Sequence, residues 1–573
     1  MDNLPKDNLS QNPIGDQNQN PQGNQSQSPQ PAGEIFNNRE ESAYEAAAAP
    51  EEAKDNAAGQ YQEGSYGSAA APEEFSQQTD VPGQEPYPSQ PQITSENVGP
   101  GQPGGSYPSA GSGNGMYSPY EEDGKKKVMI IVFAVLIILF VVAFIFMAVL
   151  GKRNNKPVAQ NIKLTYWGLW EDKSVMQPII DSYQKSHPNI TIDYIRQDQK
   201  QYRERLQAAI DRGDGPDIYR FHNTWIPMMI NYLSPMPKTV YSDAEYDKTF
   251  YHVASDDLKV GGNYYGIPLE IDGLMLIYNE SILKGANVPV PVTWDDVQNA
   301  VPKLTVKQDN KIVTSAIALG TAENIENFSD ILGLMMLQNG TQMVKSLFAC
   351  ADPSSTTCAT DALTFYHKFS EAPNNSWDDT LDNSVVAFAG GKVAMVIAPS
   401  WQIFAIQQLA KNTGLQFKTA SVPQLPCDKP PCQSVNWATY WVEGVSSKSK
   451  NSEAAWDFLK YLSQADTMKK LYTAQAQQRQ LFGEPYSRVD LGKELSSNPY
   501  IAPLITEAPT MKSFYLAERT NDGDTGIDSS LIKYLKDAVN SLSQGTSPET
   551  AFKTADNGFK QIFTRFGISS ASQ

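Results

Sequence analysis

Twenty-three consecutive residues, Val128–Leu150 (VMIIVFAVLIILFVVAFIFMAVL), contain no charged residue and no Asn, Gln, Ser, Gly or Pro. As a helix rising 1.5 Å per residue this run is about 34 Å long, enough to cross a hydrocarbon core of about 30 Å with some tilt. A buried core helix is expected to be shorter and amphipathic. A secretory signal carries its apolar run near the N-terminus, whereas here 127 residues precede it. Residues 125–151 therefore read as a retained transmembrane anchor with basic flanks, touching the lipid bilayer through 128–150. Lys125–Lys127 on one side are balanced by Lys152, Arg153 and Lys156 on the other, so charge alone does not orient the span.

The two sides of the anchor differ in kind. Residues 1–124 hold nineteen Asp and Glu against Lys6, Arg39 and Lys54, and so carry nearly all of the chain's net charge of −18. The other 449 residues are close to neutral, and no segment has the Lys/Arg excess that a nucleic-acid partner requires. Only 9 of the first 124 residues are Leu, Ile, Val or Phe. Burying so little apolar surface cannot offset a backbone ordering cost of about 1–2 kcal/mol per residue. Residues 1–124 are expected to be a disordered, acidic, low-complexity tail.

All four cysteines lie C-terminal to the anchor, in two local pairs, Cys350/Cys358 and Cys427/Cys432. The spacings, C-x7-C and C-x4-C, fit zinc poorly. Two short-loop disulfides would place this part in an oxidising, extracytoplasmic space, with the tail cytoplasmic; free buried thiols are the other reading.

After a linker, 152–160, residues 161–573 alternate strand and helix patterns. IKLTYW (Ile162–Trp167), ITIDYI (Ile190–Ile195) and Asp217–Phe221 read as strands. Val175–Lys185 and Tyr202–Ile210 between them carry apolar residues at helical spacing. The alternation predicts an α/β fold with a mostly parallel sheet and helices on both faces, and about 410 residues exceed one core, which predicts two lobes.

The segment Ile190–Phe221, ending in GDGPDIYRF, resembles the N-terminal unit of family 1 extracellular solute-binding proteins, the maltose-binding-protein-like carbohydrate receptors of ABC importers. YYGIPLEIDGLMLIYNE (Tyr264–Glu280), VTWDD (Val292–Asp296), FAGGKVAMVIAPSW (Phe388–Trp401) and SEAAWDFLKYLS (Ser452–Ser463) are similar to further family segments, in the family's order. The resemblance implies a two-lobed periplasmic-binding-protein-like fold with an interlobe hinge. It also implies a small-molecule carbohydrate as ligand, ABC transporter permease subunits as partners, no cofactor and no catalysis.

A pyranose offers an apolar C–H face to an aromatic ring and a rim of hydroxyls to carboxylates and amides. By resemblance, Trp170 and Glu171 follow the first strand, and Asn223 and Trp225 follow the third. Asp272 stands six residues before Tyr278, Trp401 follows the "GKVAM" strand, and Tyr515 lies in a late segment that closes the cleft. Trp437 and Trp441, in NWATYWVEG near an interlobe crossing, complete the candidates. Trp294 and Trp456 sit on helix patterns and read as core. His187 and His367 lack metal-ligand partners at useful spacing. The run Asp522–Asp524–Asp528 fails the EF-hand pattern, with Lys533 at position 12, and reads as helix capping. Other readings stay open: a membrane-anchored carbohydrate-active hydrolase with two carboxylates in the same cleft, or a receptor for a non-sugar solute.

Overall fold

In the computed structural model the described residues are 125–151, 161–427 and 432–568. The acidic tail (1–124) and the linker (152–160) lie outside them. The apolar run is helical throughout Lys125–Gly151. Its described side chains, at 129, 131–145 and 147, are all exposed, the large apolar ones from Val135 at 49% to Phe140 at 78%. Among the described residues no helix is shown to be long and apolar enough to cross a membrane, and the crossing rests on the sequence.

Residues 161–568 form a separate body whose first lobe follows the expected alternation. The strand Ile162–Gly168 pairs in parallel with Ile190–Arg196 along its whole length and with Ile218–His222 at Tyr166 and Trp167. Helices Lys173–Ser186 and Tyr202–Arg212 connect them, burying Val175, Ile179 and Tyr183 from one and Tyr202, Leu206 and Ile210 from the other. Gly213 ends the second helix at φ 84°, a left-handed conformation that costs glycine nothing. Trp441–Val445 and Ile267–Pro268, arriving from elsewhere in the chain, complete a five-stranded sheet.

The expectation of a mostly parallel sheet holds only for those first three strands. Trp441–Val445 runs antiparallel to both its neighbours. In the second lobe, Met395–Pro399 and Phe417–Ala420 both pair antiparallel with Leu274–Asn279. Continuous apolar runs such as LMLIYN and MVIAP mark a buried strand but carry no direction. The VTWDD motif is a helix start: Thr293 Oγ1 accepts from the Asp296 amide while the Asp296 carboxylate accepts from the Thr293 amide, a capping box for Trp294–Leu304. Trp294 and Trp456 are core residues, as expected. Asp522 accepts from the amides of Asp528 and Ser529, capping the helix Ile527–Ser543. Both disulfides are formed, Cys350–Cys358 and Cys427–Cys432.

Three passages of chain meet where the lobes join. Residue Gly273 of the first bridges Ala438 of the second, Asn436–Trp437 pairs in parallel with Met511–Lys512 of the third, and Glu270 bridges Tyr486. The contact at Gly273 is so close that a Cβ there would lie 1.9 Å from the carbonyl oxygen of Trp437.

Candidate ligand-binding site

Asp272 sits in the first passage and is buried. Its Oδ1 accepts from the amides of Gly273 (2.7 Å) and Ser400 (3.0 Å), and its Oδ2 from Ser400 Oγ (2.7 Å). Its backbone carbonyl accepts from the Thr439 amide (2.9 Å). Burial pushes its carboxyl up to about 6 against the pull of those donors. With its oxygens committed to the protein, Asp272 acts as a clamp: it holds the end of the strand Met395–Pro399, and so Trp401, beside the passage that delivers Trp441. Trp401 is half-buried.

Trp441 is the centre of an aromatic cluster. Its ring meets Trp170 at 5.5 Å, Trp225 at 5.4 Å and His222 at 5.2 Å, each near-perpendicular. Such edge-to-face pairs contribute about 0.5–1.5 kcal/mol beyond area burial. Trp225 is fully buried, so it supports the cluster from behind, while Trp170 and Trp441 remain half-open to solvent. His222 Nδ1 and Thr224 Oγ1 are 2.8 Å apart, and Thr224 Oγ1 donates to Asp528 (2.6 Å). Burial pushes the His222 imidazole down to about 3, so it is neutral.

Beside this cluster lies a pocket of about 40 Å³, lined by Asn223, Thr224, Ile226, Asp256, Asp257, Ser513, Phe514 and Tyr515. Asn223 and Tyr515, both candidates by resemblance, therefore line the same pocket. Asp257 is the residue that sequence reasoning missed. It accepts from Asn223 Nδ2 (2.9 Å), Tyr440 OH (2.7 Å) and Ser513 Oγ. Burial pushes its carboxyl up to about 6. Two of those donors are 183 and 256 positions away, so in HVASDDL it reads only as an acidic residue on a helix.

Two candidates lie elsewhere. Trp437 is fully buried beneath the helix Phe328–Gln338, its Nε1 donating to Asp330 Oδ1 (2.9 Å). Glu171 belongs to a buried ion cluster around Arg220, whose Nη1 lies 3.1 Å from Glu171 and 3.3 Å from Glu484, and whose Nε lies 2.7 Å from Glu443. Gln475 Nε2 donates to both Glu171 and Glu484. Burial, reinforced by neighbouring Glu484, pushes Glu171 up to about 7 despite Arg220. Burial acts on Glu484 too, but Arg220 and Arg479 overcome it and hold that carboxyl at about 2.

These shifts set the pH dependence of stability. Burial raises Glu171 and Glu518 to about 7 and Glu507 to about 8. A carboxyl raised on folding contributes stability that is full below its unfolded value and is lost as pH climbs through the folded one. His222 and Glu484, shifted downward, act only below about pH 6.5 and so do not oppose this. The unfolding free energy is expected to fall by on the order of 3 kcal/mol between about pH 6.5 and 8.5. A urea midpoint that stays flat or rises over that interval would show that these carboxyls are already ionised.

Residues 178–478 match the family described as bacterial extracellular solute-binding protein, more than half of the chain. The chain belongs to the bacterial extracellular solute-binding proteins. It is 24% identical over 131 residues to a maltotriose-binding protein of Pyrococcus abyssi, covering 22% of this chain and 27% of that one. It is 22% identical over 229 residues to a multiple sugar-binding protein of Streptococcus mutans, covering 38% of this chain and 51% of that one. The chain thus spans about a quarter and about half of the lengths of these two relatives. Among solved structures, a cyclo/maltodextrin-binding protein complexed with maltotetraose aligns with TM-score 0.54 and 20% identity, over 74% of this chain and all of that one. The sugar-binding protein MalE of Xanthomonas citri aligns with TM-score 0.55 and 19% identity, over 70% of this chain and 98% of that one. At such identity these show a shared fold: the two-lobed, MalE-like architecture of this solute-binding protein.

Proposed function

We propose that this protein is a membrane-anchored, extracytoplasmic receptor that captures a sugar or oligosaccharide by closing its lobes and delivers it to an ABC transporter permease. The observation that carries the reading is the clamp at Asp272. It ties the passages between the lobes to Trp401 on one side and to the Trp170–Trp441 pair on the other, so that rings suited to a pyranose face stand at the hinge. Relatives named for maltotriose and for multiple sugars, and a structural neighbour holding maltotetraose, support a carbohydrate ligand. Closure requires that ligand favour the closed arrangement by a few kcal/mol.

Anchoring is supported by the helix Lys125–Gly151, with its row of exposed Phe, Ile, Leu and Val side chains. The disulfides support a body outside the cytoplasm. Protease added to intact cells is expected to digest the body and spare the tail; the reverse pattern would invert the topology.

Calorimetry against a broad carbohydrate panel tests the ligand class. Binding of amino acids or peptides with silence from every carbohydrate would exclude it, and steady glycan turnover would establish a hydrolase instead. Trp401→Ala and Trp441→Ala should each weaken sugar affinity by at least about tenfold, or 1.4 kcal/mol. Unchanged affinity would remove that ring from the site.

A further inference from the structure

The pocket at Asp257 has a charge pattern that a neutral sugar leaves unanswered. Its eight lining residues include two carboxylates, Asp256 and Asp257, and no Lys, Arg or His. Lys512 bears on Asp256 rather than Asp257, and His252 Nε2 lies 3.4 Å from Asp256. Asp257 receives only neutral donors: one amide and two hydroxyls. A carboxylate has about four lone-pair positions, so one remains open after these three. A carboxylate met only by neutral donors keeps its charge uncompensated, and a ligand cation that neutralises it is correspondingly favoured. Phe514 and Tyr515, their rings 5.4 Å apart, also line the pocket, and aromatic faces attract cations.

The size of the pocket narrows the choice. At about 40 Å³ it is small, roughly three times the 10–15 Å³ that one water needs, and has room for an ammonium group.

We propose that this pocket receives a protonated amine, so that the ligand is an amino sugar or an oligosaccharide containing one, with Asp257 the residue that selects it. The inference rests on the reading of the pocket as part of the carbohydrate site. On docking, the ammonium donates to the open position on Asp257 in the pocket that Phe514 and Tyr515 help to line, while the sugar's rings extend toward Trp441 and Trp170.

The test is calorimetry of the wild-type chain, in detergent at about pH 7, with three probes: a glucosamine trisaccharide, its fully N-acetylated form and maltotriose. The free-amine form should bind at least about tenfold more tightly than either other probe, with the margin shrinking as salt is raised. Asp257→Asn should bring the amine and N-acetyl forms to within about threefold of each other. The wild-type comparison does not depend on whether that variant folds. Equal or tighter binding of the N-acetylated or neutral probe overturns the amine inference and leaves the carbohydrate reading standing. Silence from all three and from the wider carbohydrate panel removes both.

Discussion

Arg220→Met is expected to cost about 3–5 kcal/mol of folding stability, a large share of the 5–15 kcal/mol by which domains exceed their unfolded state. Arg220 is 1% exposed and answers three carboxylates that are themselves buried, Glu171, Glu443 and Glu484. Methionine fills similar space but removes the guanidinium common to all three, and Arg479 reaches only Glu171 and Glu484. Glu443 is left worst off: it is fully buried, one of its oxygens has no hydrogen-bond partner, and Tyr166 OH is its other donor. Adding Glu443→Gln to Arg220→Met should therefore recover part of the loss. A single variant whose denaturation midpoint matches the wild type would mean that the cluster is held together by packing rather than by charge.

Gly273→Ala should be the most damaging change of a single methyl, at about 3 kcal/mol or more. The added carbon would lie 1.9 Å from a backbone oxygen, that of Trp437, and 2.8 Å from the tip of Met511. A flexible methionine can swing away, but two backbones in adjacent passages can relieve overlap only by separating. That separation would break the Gly273–Ala438 bridge and slacken the neighbouring clamp at Asp272. The variant should lose sugar affinity along with stability, whereas the same substitution at Gly285, where nothing lies within 4 Å, should change neither. Equal effects at the two positions would refute the tight hinge.

How much of this was legible in the sequence depended on distance along the chain. The first three strands and their two helices declare themselves through local periodicity, and Thr293 and Asp522 act as caps within seven residues of their partners. Asn223 and Tyr515 were placed by resemblance, and the fold sets them in one pocket. Glu171 and Trp437 look like open loop positions locally. They are buried because Arg220, Gln475 and Asp330 arrive from 49, 304 and 107 residues away. Asp257 stayed hidden for the same reason. Strand direction in the second lobe was invisible because a buried strand is apolar whichever way it runs.

The partition of the nine tryptophans has a practical optical consequence. Five of them, Trp225, Trp294, Trp377, Trp437 and Trp456, are sealed in the interior, while Trp167, Trp170, Trp401 and Trp441 keep some contact with solvent. Indole emission moves to shorter wavelength as water leaves the ring, so the sealed set supplies a constant blue background. Any change on adding ligand comes from the four partly wetted rings, three of which border the hinge. The proposed closure would thus be reported by an internal fluorescent gauge, readable without a label.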